Sequence, residues 1–226
     1  MIAFGFDFDH TLGVDNGLEK KAFFRYAQAL GHPLRADDAA AAAGIDELLA
    51  RMRAGAISID DAVATFFAAR GIAADGEDWR AVCYALVPEL VRPIDGAREL
   101  LGALRARGVP VAILTNGWTP LQQRKIAHAL GPDAVPAVLV SDRLGAIKPA
   151  RPAFDALLAA LGAPREQAWY VGDNPAGDIG GALAAGLRAA WFDWEGLPYP
   201  ADVPPPTLRI GALRELETLA QNADAP

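Results

Sequence analysis

The sequence predicts an α/β fold, a doubly wound parallel sheet interrupted by an all-helical insert. Three observations support this. Short apolar runs of strand length recur along the chain. Helical patterns lie between most of them. One long stretch near the N-terminus is helical throughout and breaks the alternation.

"IAFGF" opens the chain as a buried strand. From about Asn16 to Leu90 the pattern is helical. "LEKKAFFRYAQALG" places Ala22, Phe23, Tyr26, Ala27 and Leu30 on one stripe. "DDAAAAAGIDELLARM", "SIDDAVATFFAARG" and "DWRAVCYALVPEL" follow, the alanine run 39–43 reading as strong helix propensity. "VRPIDGA" reads as a linker back to the sheet, broken by Pro93 and Gly96. Then "GARELLGALRARG" repeats Ala97, Leu100, Leu101 and Leu104 at helical spacing and stops at Gly108. "VPVAILT" and "AVLVS" read as strands. "RPAFDALLAALG" is a helix with Pro152 in its first turn and Gly162 at its end. "AWYVG" and "LRAAWF" are strands again, both with the continuous apolar character of strands buried on two faces. The proline-rich "EGLPYPADVPPPT" is a surface loop before a short strand "TLRI" and a last helix "ALRELETLA". Residues 1–15 and 91–226 are therefore expected to form an α/β core domain, and residues 16–90 a helical domain.

The 226 residues and 52% hydrophobic content suit one sizeable core with a small inserted unit. A net charge of −7 argues against a nucleic-acid backbone or an anionic membrane as partner. No segment approaches the roughly 20 apolar residues of a membrane span. "MIAFGF" lacks a basic leader, so a cytoplasmic protein is expected. The one cysteine, Cys83, lies in apolar "RAVCYALV" and reads as a buried small hydrophobe.

In an open parallel sheet, ligands bind beyond the C-terminal ends of the strands. The first strand here ends in Asp7-Phe8-Asp9-His10-Thr11. The second ends in Thr115-Asn116-Gly117. The third is followed by Ser141-Asp142 and soon by Lys148-Pro149. The fourth ends in Gly172-Asp173-Asn174, with Asp178 beyond it. Each could be a capped turn. Together they gather carboxylates, a lysine and a Thr-Asn pair at one edge. Clustered carboxylates are costly unless a cation neutralises them, and hard oxygen ligands suit Mg²⁺. A lysine and a hydroxyl beside that cation suit a phosphoryl group. A carboxylate can attack phosphorus, and a second one two residues on can serve as acid and then base.

With these motifs in this order, the chain resembles the haloacid dehalogenase superfamily of phosphatases. "DFDHTL" looks like the family's Asp-x-Asp-x-Thr motif. "ILTNG" is similar to its second motif, "IKP" to its third, and "VGDNPAGDIGGALAAG" to its acidic fourth. The helical segment 16–90 matches the cap of the subclass with an α-helical lid. The resemblance implies that Asp7 is the nucleophile and a metal ligand. Asp9 is then the acid/base, with its backbone carbonyl a second ligand. Asp173 is a third ligand of Mg²⁺, and Asp178 an orienter behind it. Thr115 and the backbone of Asn116 bind phosphate, and Lys148 balances its charge. Dehalogenases of the superfamily lack the second aspartate of the first motif, so Asp9 implies phosphoryl transfer from a small phosphorylated metabolite. A phosphomutase of the same fold is the alternative enzyme. A receiver-like signalling module, which is far shorter and lacks the helical insert, is the alternative from another class. Asn16, Lys20, Lys21 and Arg25 are candidates for substrate contacts in the insert, or else a solvated helix face.

Overall fold

The structure is a computed structural model that describes residues 2–35, 37–194 and 196–223, without the side chains of 222 and 223. The elements in chain order are β1 (Ala3–Phe6), β2 (Gly13–Val14), α1 (Leu18–Ala29), α2 (Ala39–Arg53), α3 (Ile59–Ala68), α4 (Gly76–Leu90), β3 (Arg92–Pro93), α5 (Ala97–Ala106), β4 (Val111–Thr115) and α6 (Leu121–Leu130). They continue with β5 (Val138–Val140), α7 (Ser141–Leu144), α8 (Arg151–Leu161), β6 (Ala168–Gly172), a π-helical turn (Pro175–Gly180), α9 (Gly181–Ala184), β7 (Arg188–Phe192), β8 (Leu208–Ile210) and α10 (Glu215–Ala223). The chain divides into two compact units, the boundaries falling at Val14/Asp15 and Val91/Arg92.

The α/β unit holds a six-stranded sheet in the order β5-β4-β1-β6-β7-β8, with every pairing parallel. The chain builds outward from β1 through β4 and β5, then returns to the other side of β1 with β6. The order therefore reverses between β1 and β6, and a crevice opens there at the strands' C-terminal ends. Successive residues of β1 face opposite layers. A Cβ on Gly5 would lie 2.4 Å from Leu157 Cδ2, so the missing side chain lets α8 lie close on that face. Ala3, Leu114, Phe154, Leu157 and Tyr170 belong to the core beneath α8. Phe4 and Phe6 point the other way and are fully buried. Here α5 packs on β4, and α10 on α5.

The helical unit is built from α1 to α4, with α1 packed on α4 and α2 on α3. Its centre is aromatic: Phe23 meets Phe66 edge-on at 5.1 Å and Trp79 at 5.2 Å between ring centroids. Helices α2, α3 and α4 are capped by short polar side chains. Asp38 accepts from Ala41 N, Asp75 from Glu77 N, and Ser58 and Asp61 form a reciprocal capping box at the start of α3. Cys83 is buried in α4.

Two features depart from the reading of the sequence. "VRPIDGA" is more than a linker, because Arg92–Pro93 pairs antiparallel with Gly13–Val14 in a separate two-stranded ribbon. Helix α6 has no counterpart among the expected elements. Its inward positions include Gln122 and Lys125, and these polar residues hide the apolar stripe. Among the described residues, no helix is long and apolar enough to cross a membrane.

Candidate active site

Asp7 follows β1 directly, and Asp173 follows β6. The reversal of strand order thus sets two carboxylates side by side. Asp178 comes from the π-helical turn after Asp173. One carboxylate oxygen from each of Asp7, Asp173 and Asp178 lies within 4.8 Å of the other two. Gly172 makes this approach possible, since a Cβ there would sit 2.3 Å from Asp178 Oδ2. Such a cluster of hard oxygen donors with excess negative charge could hold a divalent cation.

Lys148 is the counter-charge. Its Nζ lies 2.8 Å from Asp7 Oδ1, 2.7 Å from Asp178 Oδ1 and 2.9 Å from the hydroxyl of Tyr170. An ammonium has three N–H donors, and three acceptors surround this one. The Tyr170 hydroxyl in turn donates a hydrogen bond to the carbonyl of Leu114 at 2.7 Å. Burial pulls the lysine toward neutrality, but Asp178 and Asp7 override it and hold the ammonium well above its usual range. Burial raises the Asp7 carboxyl; Lys148 pulls it back and Asp178 pushes it further up. Asp173 is raised to about 8, by burial first and then by repulsion from Asp178 and Asp7. One ammonium against three carboxylates leaves the cluster short of positive charge.

The Thr-Asn pair at the end of β4 stands beside this group. The Asn116 side chain clasps the backbone of Lys148: its Nδ2 donates to the Lys148 carbonyl at 3.1 Å, and Lys148 N donates to its Oδ1 at 2.9 Å. This explains how a residue on the β4 loop sets the position of a lysine on another. Asp178 Oδ2 also accepts from Asn174 N at 3.1 Å, which ties the acidic turn together. Asp9 lies apart from the three clustered carboxylates. Gln122 Nε2 donates to its Oδ2 at 2.9 Å, and Lys125 Nζ lies 2.5 Å from its Oδ1. The loop that presents it is tight, because the N–H groups of Thr11, Leu12 and Gly13 all converge on the carbonyl of Phe8.

Gln122, Lys125 and Tyr170 escaped the reading of the sequence. The available signal for the first two was their i, i+3 spacing in the segment just after "TNG". Trp118 is packed inside at 7% exposure, as a core residue. His10 is exposed, its ring 6.4 Å from that of Trp194. In the helical unit, Lys20 pairs with Asp46 and Arg25 with Glu89, while Asn16 Nδ2 donates to the carbonyl of Leu90. These three and Lys21 line a cleft of about 710 Å³ within that unit.

Comparison with known proteins gives the fold a wider setting. The chain is 40% identical over 133 residues to a phosphoserine phosphatase of Thermus thermophilus, a match covering 59% of this chain and 50% of the relative. It is 33% identical over 132 residues to the pyrimidine 5'-nucleotidase YjjG of Escherichia coli, covering 58% of each. The chain thus spans about half the length of the curated relatives it matches. Dehalogenases are also among the matches. The magnesium-bound crystal structure of the putative HAD-hydrolase YfnB from Bacillus subtilis superimposes with a TM-score of 0.75 at 22% identity, covering 96% of this chain and 97% of that one. Strands β5, β4, β1 and β6, the acidic crevice between β1 and β6 and the pairing of Lys148 all fall within residues 2–186, the span that matches one family as a whole. The chain belongs to the haloacid dehalogenase-like hydrolases.

Proposed function

We propose that the chain is a Mg²⁺-dependent phosphatase that hydrolyses a small phosphate monoester in the cytoplasm through a phosphorylated Asp7. The observation that carries this reading is the convergence of three carboxylates and one ammonium where the strand order reverses. Asp9 favours phosphoryl transfer over dehalogenation. The names of two relatives, a phosphoserine phosphatase and a pyrimidine 5'-nucleotidase, point the same way.

The residues present fit a hard divalent cation. Asp7, Asp173 and the backbone carbonyl of Asp9 would hold it, with Asp178 orienting the cluster from behind. When bound, the cation would neutralise charge on the carboxylates and on the phosphoryl oxygens. YfnB, the structural neighbour from Bacillus subtilis, is itself bound to magnesium. The chain's own groups do the rest. An Asp7 oxygen attacks phosphorus and the ester oxygen leaves. Asp9 donates its proton to that oxygen, then takes a proton from the water that cleaves the acyl phosphate. Lys148 holds the phosphoryl charge and is itself held by Asp178 and Tyr170. The Thr115 hydroxyl and the backbone N–H of Asn116 are donors for phosphoryl oxygens.

The test is phosphate release from p-nitrophenyl phosphate. Chelation should abolish it and added Mg²⁺ restore it; full activity in excess chelator would overturn the metal assignment. Release of inorganic phosphate, rather than of an isomeric ester, separates hydrolysis from mutase chemistry.

A further inference from the structure

Helix α6 turns two polar side chains inward that the proposed chemistry does not use. Gln122 and Lys125 are each 3% exposed. Three residues apart, they share one helical face. Both reach the same carboxylate. Lys125 Nζ lies 2.5 Å from Asp9 Oδ1, and Gln122 Nε2 lies 2.9 Å from Asp9 Oδ2. The same amide nitrogen lies 2.8 Å from Thr115 Oγ1 and 3.1 Å from the carbonyl of Asn116. An amide with two N–H groups thus serves three oxygens from two parts of the site, the loop after β1 and the end of β4.

Burying an ammonium and an amide is unfavourable unless both are well paired. A helix that only had to pack would carry apolar residues at these positions. Both side chains converge instead on a single carboxylate that is itself only partly exposed. A free carboxylate rotates about its side-chain bonds, and an acid/base group must be held in a narrow range of geometry.

We infer that Gln122 and Lys125 are positioning residues that grip both oxygens of Asp9, and that Gln122 ties Asp9 to the hydroxyl of Thr115. The inference rests on the reading of Asp9 as acid/base. Gln122 sets the distance between the group that moves the proton and a group that holds the phosphoryl. Lys125 fixes the opposite carboxylate oxygen.

A double-mutant cycle tests this with phenyl phosphate and Mg²⁺. Lys125→Met and Gln122→Met are measured alone and in an Asp9→Asn background, with thermal melts to confirm folding. Each single variant should lower kcat by about tenfold or more with KM within about twofold, a part of what losing an acid/base costs. In the Asp9→Asn background neither should lower kcat further, because residues acting through one group are not additive. A structural role would lower kcat by the same factor in both backgrounds, and that result overturns the inference. So do single variants at the wild-type kcat. If Lys125→Met fails to fold, Gln122→Met decides on the same criteria. An Asp9→Asn variant at the wild-type rate overturns the acid/base reading and the inference with it. A normal loss in Asp9→Asn with silent α6 variants overturns the inference alone.

Discussion

Loading the metal-free protein with Mg²⁺ should expel a proton, and the count follows from Asp173. Its carboxyl is raised to about 8. At pH 7 the protonated fraction is 1/(1 + 10^(7−8)), or about 0.9; at pH 9 it is about 0.1. A carboxylate must be deprotonated to bind a cation, so Asp173 should release about 0.9 proton per metal at pH 7 and about 0.1 at pH 9. The apparent affinity should rise about tenfold across that interval, from the ratio of (1 + 10) to (1 + 0.1), or about 1.4 kcal/mol. Asp7 is shifted in the same direction, so these figures are lower bounds. Calorimetric titrations of Mg²⁺ at one pH, in buffers of differing ionisation enthalpy, give the proton count as a slope. Asp173→Asn should flatten that slope. The sign for stability follows from the same shift. The folded carboxyl keeps its proton well above its unfolded value of 3.8, so the native state holds the extra proton between about pH 4 and 8. The metal-free fold should lose stability as pH rises through that window. Mg²⁺ should remove most of the loss. A proton count near zero at pH 7, together with a pH-independent affinity, would refute the charge argument for this site.

Three further outcomes are expected. Gly172→Ala must displace Asp178, because the added Cβ meets its Oδ2 at 2.3 Å and its Cβ at 2.6 Å; turnover should fall by about 10²-fold, as small misplacements do, with a stability cost of about 1–3 kcal/mol in urea unfolding. Asp7→Asn should lose both turnover and any covalent phosphate. Asp9→Asn should slow turnover by roughly 10²–10⁴-fold and leave phosphate trapped on Asp7, visible by mass spectrometry after an acid quench; substantial turnover in Asp7→Asn would refute the choice of nucleophile. Leu157→Ala, at a fully buried position over Gly5, should cost about 2–5 kcal/mol in denaturant unfolding without changing KM.

The sheet was legible because its central strands β1, β4 and β6 are buried on both faces and read as apolar runs. "AWYVG" matches β6 residue for residue, and the other strands differ only at their ends. The four acidic positions were legible because each ends or closely follows a strand, where turn chemistry alone predicts no such clustering. Helix α6 was hidden by its own polar inward face: Gln122 and Lys125 occupy inward positions between Leu121, Ile126 and Ala129, which breaks the periodicity. Tyr170 was hidden in the opposite way. In an apolar strand it reads as one more core aromatic, and only the fold brings its hydroxyl to Lys148. The β2–β3 ribbon was too short to register as a pattern, with two residues to each strand.

That ribbon has a consequence for how the chain can be cut. Gly13 faces Pro93 and Val14 faces Arg92 in antiparallel register. The points where the backbone departs for the helical unit and returns from it are therefore neighbours, like the two legs of a hairpin. A two-residue Asn-Gly turn is the usual way to join such legs. Joining Val14 to Arg92 that way would excise residues 15–91 as a cassette, while Asp7, Asp9, Thr115, Gln122, Lys125, Lys148, Asp173 and Asp178 all lie in the part that remains. The chain is thus divisible at one doorway, with the clustered carboxylates and Lys148 on one side and the helical unit on the other.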